Sequence, residues 1–333
     1  MSEPQPTQKS KPLKTWSHLQ KARRRPNEYE IVSTNNHFST DTPECPWELD
    51  ENVAANQWFR RYREGSPLTH PDWDGFRDPD EVVYRTYNIV QDGQESYIDG
   101  LLADFHDREH DAGLEHEWVE ALALLYTPGR YLLHAQQMAI AYLTQIAPAS
   151  TISNCAAFQS GDRLRWLSHT AYRTRELANT WKGFGFVDGE RTAWEQHEAW
   201  QGFRELMERA LVAYDWGESF TALNLVAIPA ADEVLFRQLG YAARTYRDDL
   251  LSLMCDAALR DVDRHRRWTA ALARYMLEQD SNLEVLETWV GEWVPLADAA
   301  IDAYCAALPD RVTAADEAKR EAWTFRAGLG LSA

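Results

Sequence analysis

Large apolar residues recur along most of this chain at steps of three and four, the spacing that places them on one face of an α-helix. Residues 247–277 show it best, with Leu251, Met254, Ala258, Val262, His265, Trp268, Leu272 and Met276 in one unbroken stripe. Elsewhere punctuation helps. Asp78-Pro79-Asp80-Glu81 supplies an N-cap, a first-turn proline and acidic residues suited to the positive end of a helix dipole. A helix is expected to start there and run to about Asp111, weakened midway by Asp92-Gly93. Thr127-Pro128 opens another, with Tyr131, His134, Met138, Ala141, Tyr142 and Gln145 as its expected stripe and Pro148 as its end or kink. Further helices are expected over residues 162–181, from 190 to about 228 where Pro229 stops it, and over 281–308 with a kink at Pro295.

No window of alternating β-branched residues reads as a strand, and no fixed-period repeat is present. Helices approaching or exceeding about 30 residues suit a large bundle better than a solenoid. The expected fold is therefore all-α, a long-helix bundle over residues 51–308. Residues 1–50 read differently, as an extended arm rich in Pro, Ser, Thr and charge, and residues 309–333 as a polar tail. Trp16, Tyr29, Phe38 and Trp47 stand isolated along that arm. A segment with no core of its own that carries large aromatics is expected to dock them on another surface, its own body or a partner's.

The charge balance narrows the partners. Lys+Arg 34 against Asp+Glu 52 gives a net charge of −18, which disfavours binding to nucleic acid or an anionic membrane. The cysteines Cys45, Cys155, Cys255 and Cys305 lie far apart, without zinc spacing, as expected of reduced thiols in a cytoplasm. The N-terminus has no apolar run of signal-peptide type, and stretches such as 222–231 fall short of the roughly 20 residues of a membrane span. A soluble cytoplasmic protein is expected.

Long-helix bundles raise the question of a di-iron centre, because such sites take single glutamates from two helices and Glu-x-x-His pairs from two others. Residues three apart share a helix face, so carboxylate and imidazole can reach one metal together. Of the 10 histidines, only His110 has a carboxylate three residues before it, Asp107, and it lies in a highly charged stretch that reads as a solvated helix end. His265 is the telling case: it stands on the apolar stripe, yet the position one turn earlier is Val262. It is expected to be a buried, hydrogen-bonded core histidine, and His134, with Tyr131 one turn earlier, reads the same way. Glu95 and Glu218 resemble single glutamate ligands but have no histidines to work with. Gly-x-Ser-x-Gly and phosphate-loop patterns are absent. No catalytic, metal-binding or cofactor-binding residue is expected in this chain.

Several segments then resemble one family. Leu13-Lys-Thr-Trp-Ser-His18, Pro46-Trp-Glu-Leu49, Val83-Tyr-Arg-Thr-Tyr-Asn88, Gln91-Asp-Gly-Gln-Glu-Ser-Tyr97, Ile146-Ala-Pro-Ala-Ser-Thr-Ile-Ser-Asn-Cys155, Leu164-Arg-Trp-Leu-Ser-His-Thr-Ala-Tyr-Arg-Thr174 and Asp215-Trp-Gly-Glu218 are similar to the β subunits of toluene monooxygenases, which are bacterial multicomponent di-iron monooxygenases. The resemblance implies a ferritin-like fold, of the ribonucleotide reductase small-subunit type, without iron. It also implies an (αβγ)₂ hydroxylase whose α subunit holds the di-iron centre, served by an effector protein, a Rieske ferredoxin and an NADH-dependent flavin reductase. In that setting the arm would wrap α, with Trp16, Tyr29 and Trp47 as interface residues. Asp261-Val-Asp-Arg-His265 resembles the Asp-Glu-x-Arg-His pattern of the α subunit with valine in place of the metal-binding glutamate. Related members act on alkenes and isoprene, so the hydrocarbon stays open. A free-standing di-iron protein and an unrelated helical adaptor are the remote alternatives.

Overall fold

The structure is a computed structural model that describes residues 26–34 and 52–331. Among the described residues there is no strand; the chain forms helices α1 (Glu28–Ser33), α2 (Ala54–Phe59), α3 (Tyr84–Asp107), α4 (His116–Ala121), α5 (Gly129–Ile146), α6 (Ser150–Thr180), α7 (Glu190–Gln196), α8 (Glu198–Ala210), α9 (Trp216–Thr245), α10 (Asp249–Met276), α11 (Ser281–Ala306) and α12 (Ala314–Ala327). This is the all-α bundle the periodicity predicts. Two hairpins make its centre. Residues 147–149 reverse the chain between α5 and α6, and residues 246–248 do so between α9 and α10. Helix α3 lies against α6 and α10, whereas α8 and α11 pair with each other and cover α9 and α5. The α8–α11 crossing is close because of Gly202, where a Cβ would stand 2.5 Å from the Cα of Ala300.

Several elements depart from the sequence pattern for identifiable reasons. Asp78 does cap a turn, its carboxylate accepting from the N–H groups of Asp80 and Val82 at 3.0 Å each. Glu81 then adopts a left-handed φ of 46°, which no helix propagates, and α3 starts only at Tyr84. Pro229 does not stop its helix. Ile228 N–H reaches back five residues to Leu223 O in a widened π turn, which makes room for the ring. Arg326 Nη1 donates at 3.5 Å to Leu225 O, the carbonyl four residues before the proline that a proline cannot serve. The expected block from 190 to 228 is instead divided, with α7 and α8 ending before Asp215 caps α9 through its bonds to the N–H groups of Gly217 and Glu218.

Helix α9 is long and apolar enough to cross a membrane by length and composition, a run longer than the 222–231 stretch suggests. Its most apolar window is wholly buried inside the molecule, so it serves as the core helix here. On α5 the buried face is Leu132, Leu133, Gln136, Ala139, Ile140 and Leu143. His134 and Met138 point to solvent. Both faces of α5 carry apolar residues, and packing selects the more uniformly aliphatic one. The α10 stripe is buried at every expected position. Beyond Pro309, where a polar tail is expected, α12 buries Ala314, Ala318, Ala322 and Arg326 against α11 and α9.

Of the arm, the described helix α1 is fixed at its start by a reciprocal pair of bonds between Asn27 and Glu30. Tyr29 is 4% exposed, and its hydroxyl accepts from Asp78 N–H at 3.0 Å, so this aromatic docks on the chain's own body. Trp16 and Trp47 lie outside the described residues.

Candidate functional site

Within the apolar core of the bundle lies an ionic cluster. Along α6 the sequence places Asp162, Arg163, Trp166, His169 and Arg173 at helical steps on the buried face. Charged residues there must find partners across the bundle, because an unpaired charge in the interior costs several kcal/mol. Arg163 does so with Asp232 of α9, through two parallel bonds of 2.5 and 3.0 Å. Beside that pair, Asp162 accepts from Tyr87 Oη at 2.9 Å, Gln91 Nε2 at 2.7 Å and His265 Nε2 at 2.8 Å, and it pairs with Arg264. Gly161 makes room for the tyrosine, since a Cβ there would lie 2.7 Å from its hydroxyl.

Asp261 of α10 joins the same cluster, receiving bonds from Gln91 at 3.0 Å, Gln94 at 3.1 Å, Trp166 Nε1 at 3.0 Å and Arg264 at 3.0 Å. Arg165 reaches Asp261 at 3.2 Å and Glu95 at 2.6 Å, and His169 Nε2 lies 3.0 Å from the other oxygen of Glu95. Next to Asp232 on α9, Glu233 accepts from Arg237 at 2.8 Å and Arg266 at 2.7 Å. The five carboxylates of Glu95, Asp162, Asp232, Glu233 and Asp261 thus face five guanidiniums: Arg163 serves Asp232, Arg237 and Arg266 share Glu233, and Arg165 and Arg264 bridge the other three. Burial opposes ionisation of Asp162, but its bond to His265 and the charges of Arg264 and Arg165 outweigh it and hold its pKa below the ordinary value. Burial pushes the His265 pKa down, against the pull of Asp162.

A di-iron centre needs carboxylates and imidazoles whose free lone pairs converge. These residues do not fit it: the carboxylates spend their oxygens on guanidinium, indole and amide donors, and Val262, buried one turn before His265, offers no donor. Among the described residues no group of three His, Cys, Asp or Glu side chains is placed to hold a metal ion. His265 is the buried, hydrogen-bonded histidine the sequence predicts. His134 is not, being exposed on the outer face of α5. His110 is no solvated end group either. Its Nε2 lies 3.3 Å from Asp248, which also takes Arg173 at 2.7 Å and Trp118 Nε1 at 2.9 Å, forming a second buried cluster at the turn into α10. Glu95 and Glu218 are not brought together, since Glu218 is half-buried beside Trp293, where burial raises its pKa.

The pairing of Glu95 with His169, and of Asp162 with His265, escapes a search for ligands three apart on one helix because both pairs cross between helices. The available signal was charge at buried steps of α6, which Asp162, Arg163 and Arg173 carry.

Residues 58–280 match the family model described as methane/phenol/alkene hydroxylase. The chain is 49% identical over 310 residues, 93% of its length and 95% of the relative's, to the hydroxylase component subunit beta of the toluene-4-monooxygenase system of Ectopseudomonas mendocina. An oxygenase component of a phenol 2-monooxygenase from Acinetobacter pittii is 23% identical over 270 residues, covering 79% of each chain. A solved structure of toluene 4-monooxygenase with toluene in its resting active site contains a chain that superposes with a TM-score of 0.86 at 49% identity, over 90% of this chain and 99% of that one. A xenon-pressurised phenol hydroxylase from Pseudomonas sp. OX1 shares the fold at a TM-score of 0.82 and 18% identity, over 93% of this chain and 92% of that one.

Proposed function

The chain belongs to the methane/phenol/alkene hydroxylase family, and from that membership we infer that it acts as the non-catalytic β subunit of a di-iron hydrocarbon hydroxylase. The observation that carries the non-catalytic role is the bundle centre, where His265 is bonded to Asp162 and Val262 stands one turn before it. A charge-matched network holds together the helices that would otherwise have to converge on metal. The iron belongs to a partner α subunit, and the reaction is insertion of one oxygen atom from O₂ into the substrate. The similarity to a toluene-4-monooxygenase component favours an aromatic substrate of the toluene class over an alkene or isoprene.

In this reading the chain supports α within an (αβγ)₂ hydroxylase in the cytoplasm. Effector protein, Rieske ferredoxin and NADH-dependent flavin reductase act on the assembly. Residues 1–50 form the arm that engages α, with Trp16 and Trp47 as contact residues. Tyr29 anchors that arm to this chain's own body. Producing the chain with and without an α subunit bearing two Glu-x-x-His motifs tests the proposal. Iron should accompany only the assembly, which should oxidise toluene faster than propene or isoprene. Stoichiometric iron and turnover by the isolated chain would refute it.

A further inference from the structure

Helix α3 is packed on one side only. Its other side presents Ile89 and Val90 to solvent at 63 and 51% exposure, and Tyr84, the first residue of the helix, is 76% exposed. Large apolar side chains left exposed beside a groove mark a place that something can cover. Beside it, between α3 and α10, runs an open groove of about 630 Å³ floored by Tyr87, Val90, Gly93 and Tyr97. Its far wall is Arg260, Arg264 and Arg267, one arginine per turn of α10; Asp80 and Glu81 also line it, but Asp80 is paired with Arg267 and Glu81 with Arg77.

Those arginines are not equivalent. Arg264 is bonded to Asp162 and Asp261 at the groove's base, and Arg267 pairs with Asp80 at 2.8 Å. Arg260 is exposed, and among the described residues it meets no carboxylate, only the face of Tyr97 with its guanidinium carbon 5.9 Å from the ring centroid. In a protein of net charge −18, a cation left unmatched beside apolar surface selects for an acidic occupant. This chain's own Lys21-Ala-Arg-Arg-Arg25 carries the wrong charge to fill the site. The arginine wall and the apolar floor run parallel to two helices, the form of groove that accepts an amphipathic helix with anchors at steps of three and four.

We propose that the groove between α3 and α10 is the docking site for an acidic amphipathic helix of a partner subunit in the hydroxylase, with a carboxylate of that helix seated on Arg260 and its apolar side chains on Val90 and Tyr97. The proposal rests on the subunit reading above and adds the surface, the free cation and the chemistry of the segment that meets it.

The test uses the assembled hydroxylase, this chain produced together with its partner subunits. A photo-crosslinking benzoylphenylalanine placed at Val90 is expected to join this chain to another subunit at a peptide containing Asp or Glu. Its yield should exceed by about tenfold that of the same probe at Val312, which is 98% exposed. R260E should weaken assembly by about tenfold in dilution experiments read by native mass spectrometry, and R260K should recover most of the loss. If the complex is intact but Val90 crosslinks no better than Val312, only within this chain, or only to a second copy of it, the docking site is wrong and the subunit reading stands. Unchanged assembly of R260E has the same meaning. Failure of the unaltered chain to form any complex overturns both.

Discussion

His265 Nε2 lies 2.8 Å from Asp162 Oδ2, so the one imidazole on the apolar stripe of α10 is spent on a carboxylate of α6. Burial favours the neutral ring, which places the proton on Nε2 as donor to the carboxylate. Asp162 in turn faces Arg264 and Arg165, so the histidine is one member of an ion network.

Asp162→Asn keeps the shape and removes the charge that Arg264 and His265 depend on. Breaking a buried pair while leaving its cation behind costs about 3–5 kcal/mol. Urea denaturation should show a loss of that order. A loss below about 1 kcal/mol would mean that Arg264 finds solvent and the network contributes little.

The network also sets the acid sensitivity. In the unfolded chain His265 titrates near 6.5, whereas in the fold burial lowers its pKa. The unfolded state therefore takes up this proton first, and stability falls as the pH drops below about 6.5. Asp162 and Asp248, whose folded pKa values lie below the ordinary range, contribute stability that is present above about pH 4 and lost on further acidification. Denaturation midpoints should thus decline in two stages, and His265→Gln should remove the upper one. A midpoint in His265→Gln that still falls between about pH 7 and 5.5 as in the unaltered chain would contradict the assignment.

Val262→Glu restores the carboxylate that the Asp-Glu-x-Arg-His pattern has and this chain lacks. The position is 1% exposed, and the neighbouring cations are already matched by carboxylates. The new group should destabilise the fold by several kcal/mol or remain protonated, without binding iron. Tight stoichiometric iron in this variant, measured by metal analysis after desalting, would count against the account of the bundle centre.

Gly202→Ala separates packing from propensity. Alanine in place of a helical glycine gains up to about 1 kcal/mol on propensity. Here the added Cβ meets the Ala300 backbone, and overpacking of that kind costs about 1–3 kcal/mol, so the net effect should be destabilising. Gly100→Ala on α3, with nothing within 4 Å of the added Cβ, should be neutral or stabilising. Thermal melts of the two variants moving in the same direction would refute the close crossing.

The long stripe of α10 was legible because one periodicity ran through it without competition. On α5 two faces were apolar, and the stripe through His134 and Met138 proved to be the exposed one. Pro229 read as a stop because a proline removes one helical bond, but the widened turn at residues 221–227 and Arg326, about a hundred residues away, accommodate it. Asp107 and His110 suggested a solvated end because their neighbours in sequence are charged, while the carboxylate that engages His110, Asp248, comes from the turn into another helix.

What the sequence determined by itself was local and subtractive. Helical spacing made the bundle, and a residue that is absent, such as a carboxylate at 262, is absent in any fold. The tertiary structure decided how the buried charges pair. Asp162 with His265, Glu95 with His169 and Arg163 with Asp232 all join different helices, and electrostatic pairing depends on distance in space, which spacing along one helix does not contain.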